Sequence, residues 1–164
     1  MTDRIPEQIA AMAAMEARAP VQDYQYPPKP LARLDADVRV TYTGVCATDV
    51  HMIDDDWGLS RYPLVPGHEV VGHVIAVGEG VSHLAVGDVV GLGAQAQACG
   101  RCEQCEAGID NLCPERKFTY FENTVDETGE HVHHGGFSAY LRTDSRYLFK
   151  VPAGYGEQYV GPLM

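Results

Sequence analysis

The chain has 164 residues, 45% of them hydrophobic and 21% charged, which is ordinary globular composition and enough length to bury one core. Its formal charge of −11, with 12 Lys and Arg against 23 Asp and Glu, argues against nucleic acid or an anionic membrane surface as partner. No run approaches the roughly 18 apolar residues of a membrane span. The opening "MTDRIPEQIA" has neither the basic nor the apolar region of a signal peptide. Five cysteines, an odd number without an export signal, therefore point to reduced thiols and a cytoplasmic protein.

In chain order, "EQIAAMAAMEARA" has mildly helical composition, broken by Pro20 and by "YPPKP" at residues 26–30. "DADVRVTYTGVC" alternates apolar and polar residues up to Cys46 and predicts a strand. "HEVVGHVIAVGEGV" is rich in β-branched residues, with Gly72, Gly78 and Gly80 marking bends or bulges. "VGDVVGLG" predicts another short strand, and "GGFSAYLRTDSRYLFKVPAG" one or two more, ended by Pro152. No amphipathic helical pattern of useful length separates these strands, so a parallel βαβ sheet is not expected. The expected fold is mostly β, a small irregular barrel. "FENTVDETGEHVHHGG" is the most loop-like stretch.

"ACGRCEQCEAGIDNLCPE" places Cys99, Cys102, Cys105 and Cys113 in one polar loop. Four thiolates at such spacing can wrap one Zn²⁺ in a closed tetrahedral site, the metal–sulfur bonds replacing a core that the loop is too polar to build. A cluster of iron and sulfur is the rival, since C-x2-C-x2-C with a later Cys-Pro echoes a ferredoxin run, although the last spacing here is seven. Disulfides between residues three apart would be strained.

A second constellation gathers Cys46, Thr48, Asp49 and His51 with His68 and Glu69. One cysteine and one histidine on separate segments, with Glu69 as a third donor, are the makings of an open catalytic zinc site. On residue types alone, a buried free thiol and a histidine at a strand start account for them equally well.

Taken together, "GVCATDVH", "YPLVPGHEVVGHVIAVGEGV" and the four-cysteine loop resemble, in order and spacing, the zinc-dependent medium-chain alcohol dehydrogenases, and most nearly their cinnamyl-alcohol-dehydrogenase-like branch. The resemblance runs from about residue 35 to the end of the chain. It implies that residues 1–164 form a GroES-like catalytic domain with a zinc lobe over about residues 95–116. It further implies that Cys46 and His68 bind the catalytic Zn²⁺, with Glu69 a resting-state ligand or close neighbour. Asp49 would hold the imidazole of His68, and Thr48 and His51 would pass the substrate proton to solvent. Trp57 falls where such enzymes carry a substrate-pocket aromatic, core packing being the plainer role. Ala47 departs from the histidine frequent at that position in the branch.

The family's third catalytic ligand, a cysteine a few residues after "GPL", and its nicotinamide-binding Rossmann domain have no counterpart up to Met164. The expectation is thus a C-terminally truncated, split or partial oxidoreductase. The intact protein would exchange hydride between a small alcohol or aldehyde and NADP(H), usually as a homodimer. The competing classes are a non-enzymatic structural zinc module and an iron–sulfur electron carrier.

Four further features invite weaker readings. "GLGAQA" at residues 91–96 fits a dinucleotide fingerprint on paper, but no helix is expected to start there, which the pyrophosphate requires. "HVHH" (His131, His133, His134) and Asp54–Asp56 are expected to be solvated loop residues, and His73 and His83 need no special role.

Overall fold

The computed structural model describes residues 4–120 and 133–164. Its centre is a five-stranded antiparallel sheet, curled into a half barrel. The sheet is built from β3 (Asp35–Thr43), β4 (Val70–Val77), β5 (Val89–Leu92), β8 (Tyr140–Asp144) and β9 (Leu148–Lys150), in the order β8-β3-β4-β5-β9. Each strand coincides with an alternating or β-branched run of the sequence. Every strand pairing among the described residues is antiparallel. Ala36, Val38, Val70, Val74, Val90, Leu92, Leu141 and Leu148 meet in one core, where each fully buried aliphatic contributes about 1.5–3 kcal/mol. Gly72 sits within β4 opposite Val40, where the β3–β4 register shifts.

The opening segment departs from expectation. Residues 9–13 form a strand, β1 (Ile9–Ala13), in a hairpin with β2 (Gln22–Tyr26). Ile9, Ala11 and Ala13 point inward while Ala10 and Met12 face out, a period of two. They pack with Tyr26 and Val65, and this burial overrides the helical preference of alanine and methionine, which is worth only a few tenths of a kcal/mol per residue.

A helix that the sequence pattern did not announce lies between β3 and β4: α1 (Ala47–Asp54). It starts because Asp49, at its third position, turns its carboxylate back to accept the backbone N–H of Cys46 at 2.9 Å, half of a capping box. It stops at Asp55, which takes a left-handed conformation (φ 56°). At eight residues it is two turns long, too short for a hydrophobic stripe to register.

After β5 the chain makes β6 (Gln95–Gln97), the one-turn helix α2 (Glu103–Glu106), and β7 (Lys117–Phe118), which pairs with β6. The "GLGAQA" stretch thus runs from strand to strand and presents no helix N-terminus to a phosphate. Among the described residues no helix is long and apolar enough to cross a membrane.

Candidate functional site

The β6–β7 excursion carries the four-cysteine loop. The sulfurs of Cys99, Cys102, Cys105 and Cys113 all lie within 4.8 Å of one another, with Cys102 to Cys105 at 3.5 Å and Cys99 to Cys105 at 3.9 Å. Those gaps exceed the about 2.05 Å of a disulfide. They match the edge of a tetrahedron of sulfurs about 2.3 Å from one ion. Clustering distorts the thiols. The N–H of Arg101 draws Cys99 down to about 7, whereas burial and then Cys102 push Cys105 up to about 12. Four thiolates this close repel unless a cation sits among them, so the donor set fits a single dication and leaves little room for a cluster of several irons. The lobe is tied to the sheet by Arg146, whose guanidinium donates to the Ala98 carbonyl at 3.1 Å, and by the Tyr147 hydroxyl, which donates to Asp110.

The second donor set assembles where α1 meets the loop leading into β4. Cys46, His68 and Glu69 present a sulfur, a ring nitrogen and a carboxylate oxygen within 4.8 Å of one another. His68 is buried, while Cys46 and Glu69 are half-buried. Two glycines make the approach possible. Gly67 has φ +104°, and a Cβ there would stand 2.8 Å from the Gly136 nitrogen and 2.9 Å from that of Phe137. A Cβ on Gly44 would run into the Glu69 carboxylate.

Asp49 fastens this assembly from behind. It is 1% exposed, and its Oδ2 accepts the Cys46 N–H while its Oδ1 accepts the Gly67 N–H, each at 2.9 Å. His68 Nδ1 stands 3.1 Å from Oδ1. Burial drives the Asp49 carboxyl upward, but the hydrogen bonds from His68, Tyr120 and the Cys46 N–H outweigh it and hold the group below the usual carboxylate range. Asp49 in turn raises His68 against the effect of burial. The backbone N–H and then the hydroxyl of Thr48 reach the Cys46 sulfur and lower its pKa. The site is therefore built for a thiolate and for an imidazole whose Nε2 is left to face the other donors.

Tyr120 belongs to this group and went unnoticed in the sequence. Its hydroxyl donates to Asp49 and lies 2.7 Å from His68 Nδ1. Burial and the neighbouring Asp49 charge raise its pKa strongly. It is 52 residues from His68, and the only local signal is an aromatic two residues past a short strand.

The remaining candidates sort differently. His51 stands on the exposed side of α1, with Nδ1 2.8 Å from Asp56 and its ring 5.1 Å from that of Trp57. Trp57 is 48% exposed and does not serve the core. Asp55 and Asp56 are more than solvated loop residues: Asp55 accepts the Ser60 N–H at 2.9 Å, and Asp56 engages His51 and Arg18. The solvated reading of "HVHH" is also corrected. His133 is buried against Gln97, its Nε2 3.2 Å from Oε1, and His134 packs on the Tyr26 ring at 3.7 Å. His131 lies outside the described residues. His73 meets Glu157 at 2.9 Å, and His83 donates to the Ser145 carbonyl at 2.9 Å.

The model of the alcohol dehydrogenase GroES-like domain matches residues 33–153. The aldehyde reductase AdhA of Synechocystis is 42% identical over 155 residues, which are 94% of this chain and 43% of that protein. A probable cinnamyl alcohol dehydrogenase of Saccharum officinarum is 36% identical over 156 residues, 95% of this chain and 42% of that one. The solved cinnamyl alcohol dehydrogenase SbCAD4 of Sorghum bicolor superposes with a TM-score of 0.88 at 35% identity, over 95% of this chain and 44% of its own. The CAD of Helicobacter pylori, complexed with NADP(H), gives 0.87 at 28% identity, over 95% and 45%. The chain thus spans less than half the length of these relatives.

Proposed function

The chain belongs to the alcohol dehydrogenase GroES-like domain family, and from that premise we propose that it forms the substrate-side catalytic domain of a zinc-dependent alcohol dehydrogenase or aldehyde reductase working with NADP(H). The observation that supports this reading is the presence of two unlike donor sets in one domain. Four sulfurs can saturate an ion and serve architecture alone. The Cys46, His68 and Glu69 set offers three different donors, two of them still half-exposed, which leaves a coordination position for a reactant.

Zinc bound at the second set would supply a Lewis acid for the oxygen of a small alcohol or aldehyde. The chain's own residues do the rest. Asp49 keeps the proton of His68 on Nδ1, so that the Nε2 lone pair is available. Thr48 and His51, three apart on α1, share a helix face. In alcohol oxidation the substrate hydroxyl passes its proton through Thr48 Oγ1 to the His51 ring. Asp56, 2.8 Å from Nδ1, stabilises the resulting charge. Aldehyde reduction runs the same path inward. Trp57, exposed beside His51, forms one wall for the organic part of the substrate. A nicotinamide, held by a domain outside these 164 residues, would supply or take up the hydride.

Metal counting on the purified chain tests the proposal. The expected result is one zinc that survives chelation and a second that chelators remove easily. Iron with visible colour, or no metal at all, would overturn it. The chain alone should not oxidise NADPH with an aldehyde, and joined to a nicotinamide-binding domain it should. Cys46→Ser or His68→Ala should then abolish turnover, whereas undiminished turnover would refute the assignment.

A further inference from the structure

Asp49 is the obvious partner for His68, but it is not the nearest. The Tyr120 hydroxyl stands 2.7 Å from His68 Nδ1, against 3.1 Å for Asp49 Oδ1. A phenol has one proton to give and lone pairs to accept with. Tyr120 gives its proton to Asp49 Oδ1, so towards His68 it acts only as an acceptor. The opposite tautomer would set a bare Nδ1 lone pair against the carboxylate, with no proton left between them. One arrangement satisfies all three groups: Nδ1–H is shared between the nearer phenol oxygen and Asp49 Oδ1, and the phenol donates to Asp49. Asp49 is meanwhile held in place by the N–H groups of Cys46 and Gly67. Tyr120 is 1% exposed, and its ring packs 5.6 Å from the imidazole at 47°, which restricts rotation of His68 as well.

We infer that Tyr120 is a positioning residue that fixes the tautomer and the aim of His68 by carrying its Nδ1 hydrogen bond to Asp49. The inference rests on the reading of His68 as a metal ligand and adds a residue on the distant β7 side of the fold to that site. Losing such an outer partner typically weakens metal binding 10–100-fold. Because Asp49 remains as an acceptor, the lower end is expected.

The experiment uses the 164-residue chain with its four-cysteine site loaded with zinc, as wild type and as Tyr120→Phe. Histidine ¹⁵N spectra report the tautomer of His68, and Co²⁺ titration reads affinity at the Cys46 site through the thiolate–cobalt absorption band. At a pH above the His68 titration, where the ring is neutral, wild type should show Nδ1–H alone. Tyr120→Phe should show a mixture of tautomers and bind Co²⁺ about tenfold more weakly, with zinc at the four cysteines unchanged. An unaltered tautomer and affinity in Tyr120→Phe, or an Nε2–H tautomer in wild type, would overturn the inference. If Tyr120→Phe does not fold, wild type still decides. A slowly exchanging Tyr120 hydroxyl proton in contact with His68 Nδ1–H supports the role, and its absence refutes it. Should Co²⁺ leave His68 Nε2 unperturbed in wild type and give the same spectrum in Cys46→Ser, the metal-site reading itself fails, a result distinct from failure of the Tyr120 role.

Discussion

Acidification from pH 8 to pH 5 should cost the folded chain stability through one residue, His133. The ring is 4% exposed, and burial, followed by the charge of Lys29, pushes its pKa from 6.5 down to about 3. Asp144 pulls the other way and Lys117 adds to the repulsion. His133 is thus a base held neutral. Its contribution is complete above pH 6.5, declines as the pH falls and is gone near pH 3. At pH 5 the unfolded chain has taken up the proton and the folded chain has not. The gap of about 1.5 units below the unfolded value, at about 1.36 kcal/mol per unit, comes to about 2 kcal/mol. The clean comparison is with His133→Gln, whose amide keeps a donor for Gln97 but does not titrate. Urea midpoints of both proteins, measured at pH 8, 7, 6 and 5 in the same zinc buffer, share every other titrating group. Wild type should lose about 2 kcal/mol more than the variant over that range. Parallel curves would show that His133 takes its proton in the folded chain and that its burial does not govern its charge.

Three substitutions extend the test. Asp49→Asn replaces one acceptor with a donor facing a backbone N–H, either that of Cys46 or that of Gly67, and should lower stability by about 2–4 kcal/mol in urea titration; a change under about 0.5 kcal/mol would contradict the fastening role. Cys113→Ser, at a fully buried sulfur, should remove the chelator-resistant zinc and expose the lobe to proteases; full retention of that ion would show that Cys113 is dispensable. Gly67→Ala forces a side chain into a backbone conformation at φ +104° and against the Gly136 nitrogen, so its thermal midpoint should fall by an amount equivalent to about 2 kcal/mol or more. An unchanged midpoint would mean that the loop relaxes freely.

β3, β4 and β5 were legible because valine-rich runs have no competing explanation, while β8 and β9 lie within the single stretch expected to hold one or two strands. β1 was not, since alanine and methionine favour helix weakly and only contact with Tyr26 and Val65 decides the matter. α1 hid for a different reason: its start is marked by Asp49 reaching back to Cys46, a signal carried by one residue. Both candidate donor sets were visible as residue types at telling intervals, most clearly in the four-cysteine loop, where all donors are local. Tyr120 was invisible because 71 residues separate it from Asp49, and nothing in a linear pattern reports a contact at that range. His133 was misread since histidines flanked by glycine suggest solvent, while the folded chain closes Gln97 over it.

The two donor sets differ in how much of the chain must be in place before each exists. The four sulfurs sit within one short excursion between β6 and β7, so a modest loop closure suffices to gather them. Cys46, His68 and Glu69 come together only once β3 has paired with β4 and Asp49 has been sealed under Tyr120. With both sets binding zinc as proposed, a nascent or partly refolded molecule would capture its first ion early and its second late. The ratio of bound metal to polypeptide would serve as a clock for maturation, one ion marking an assembled lobe and two marking a finished sheet.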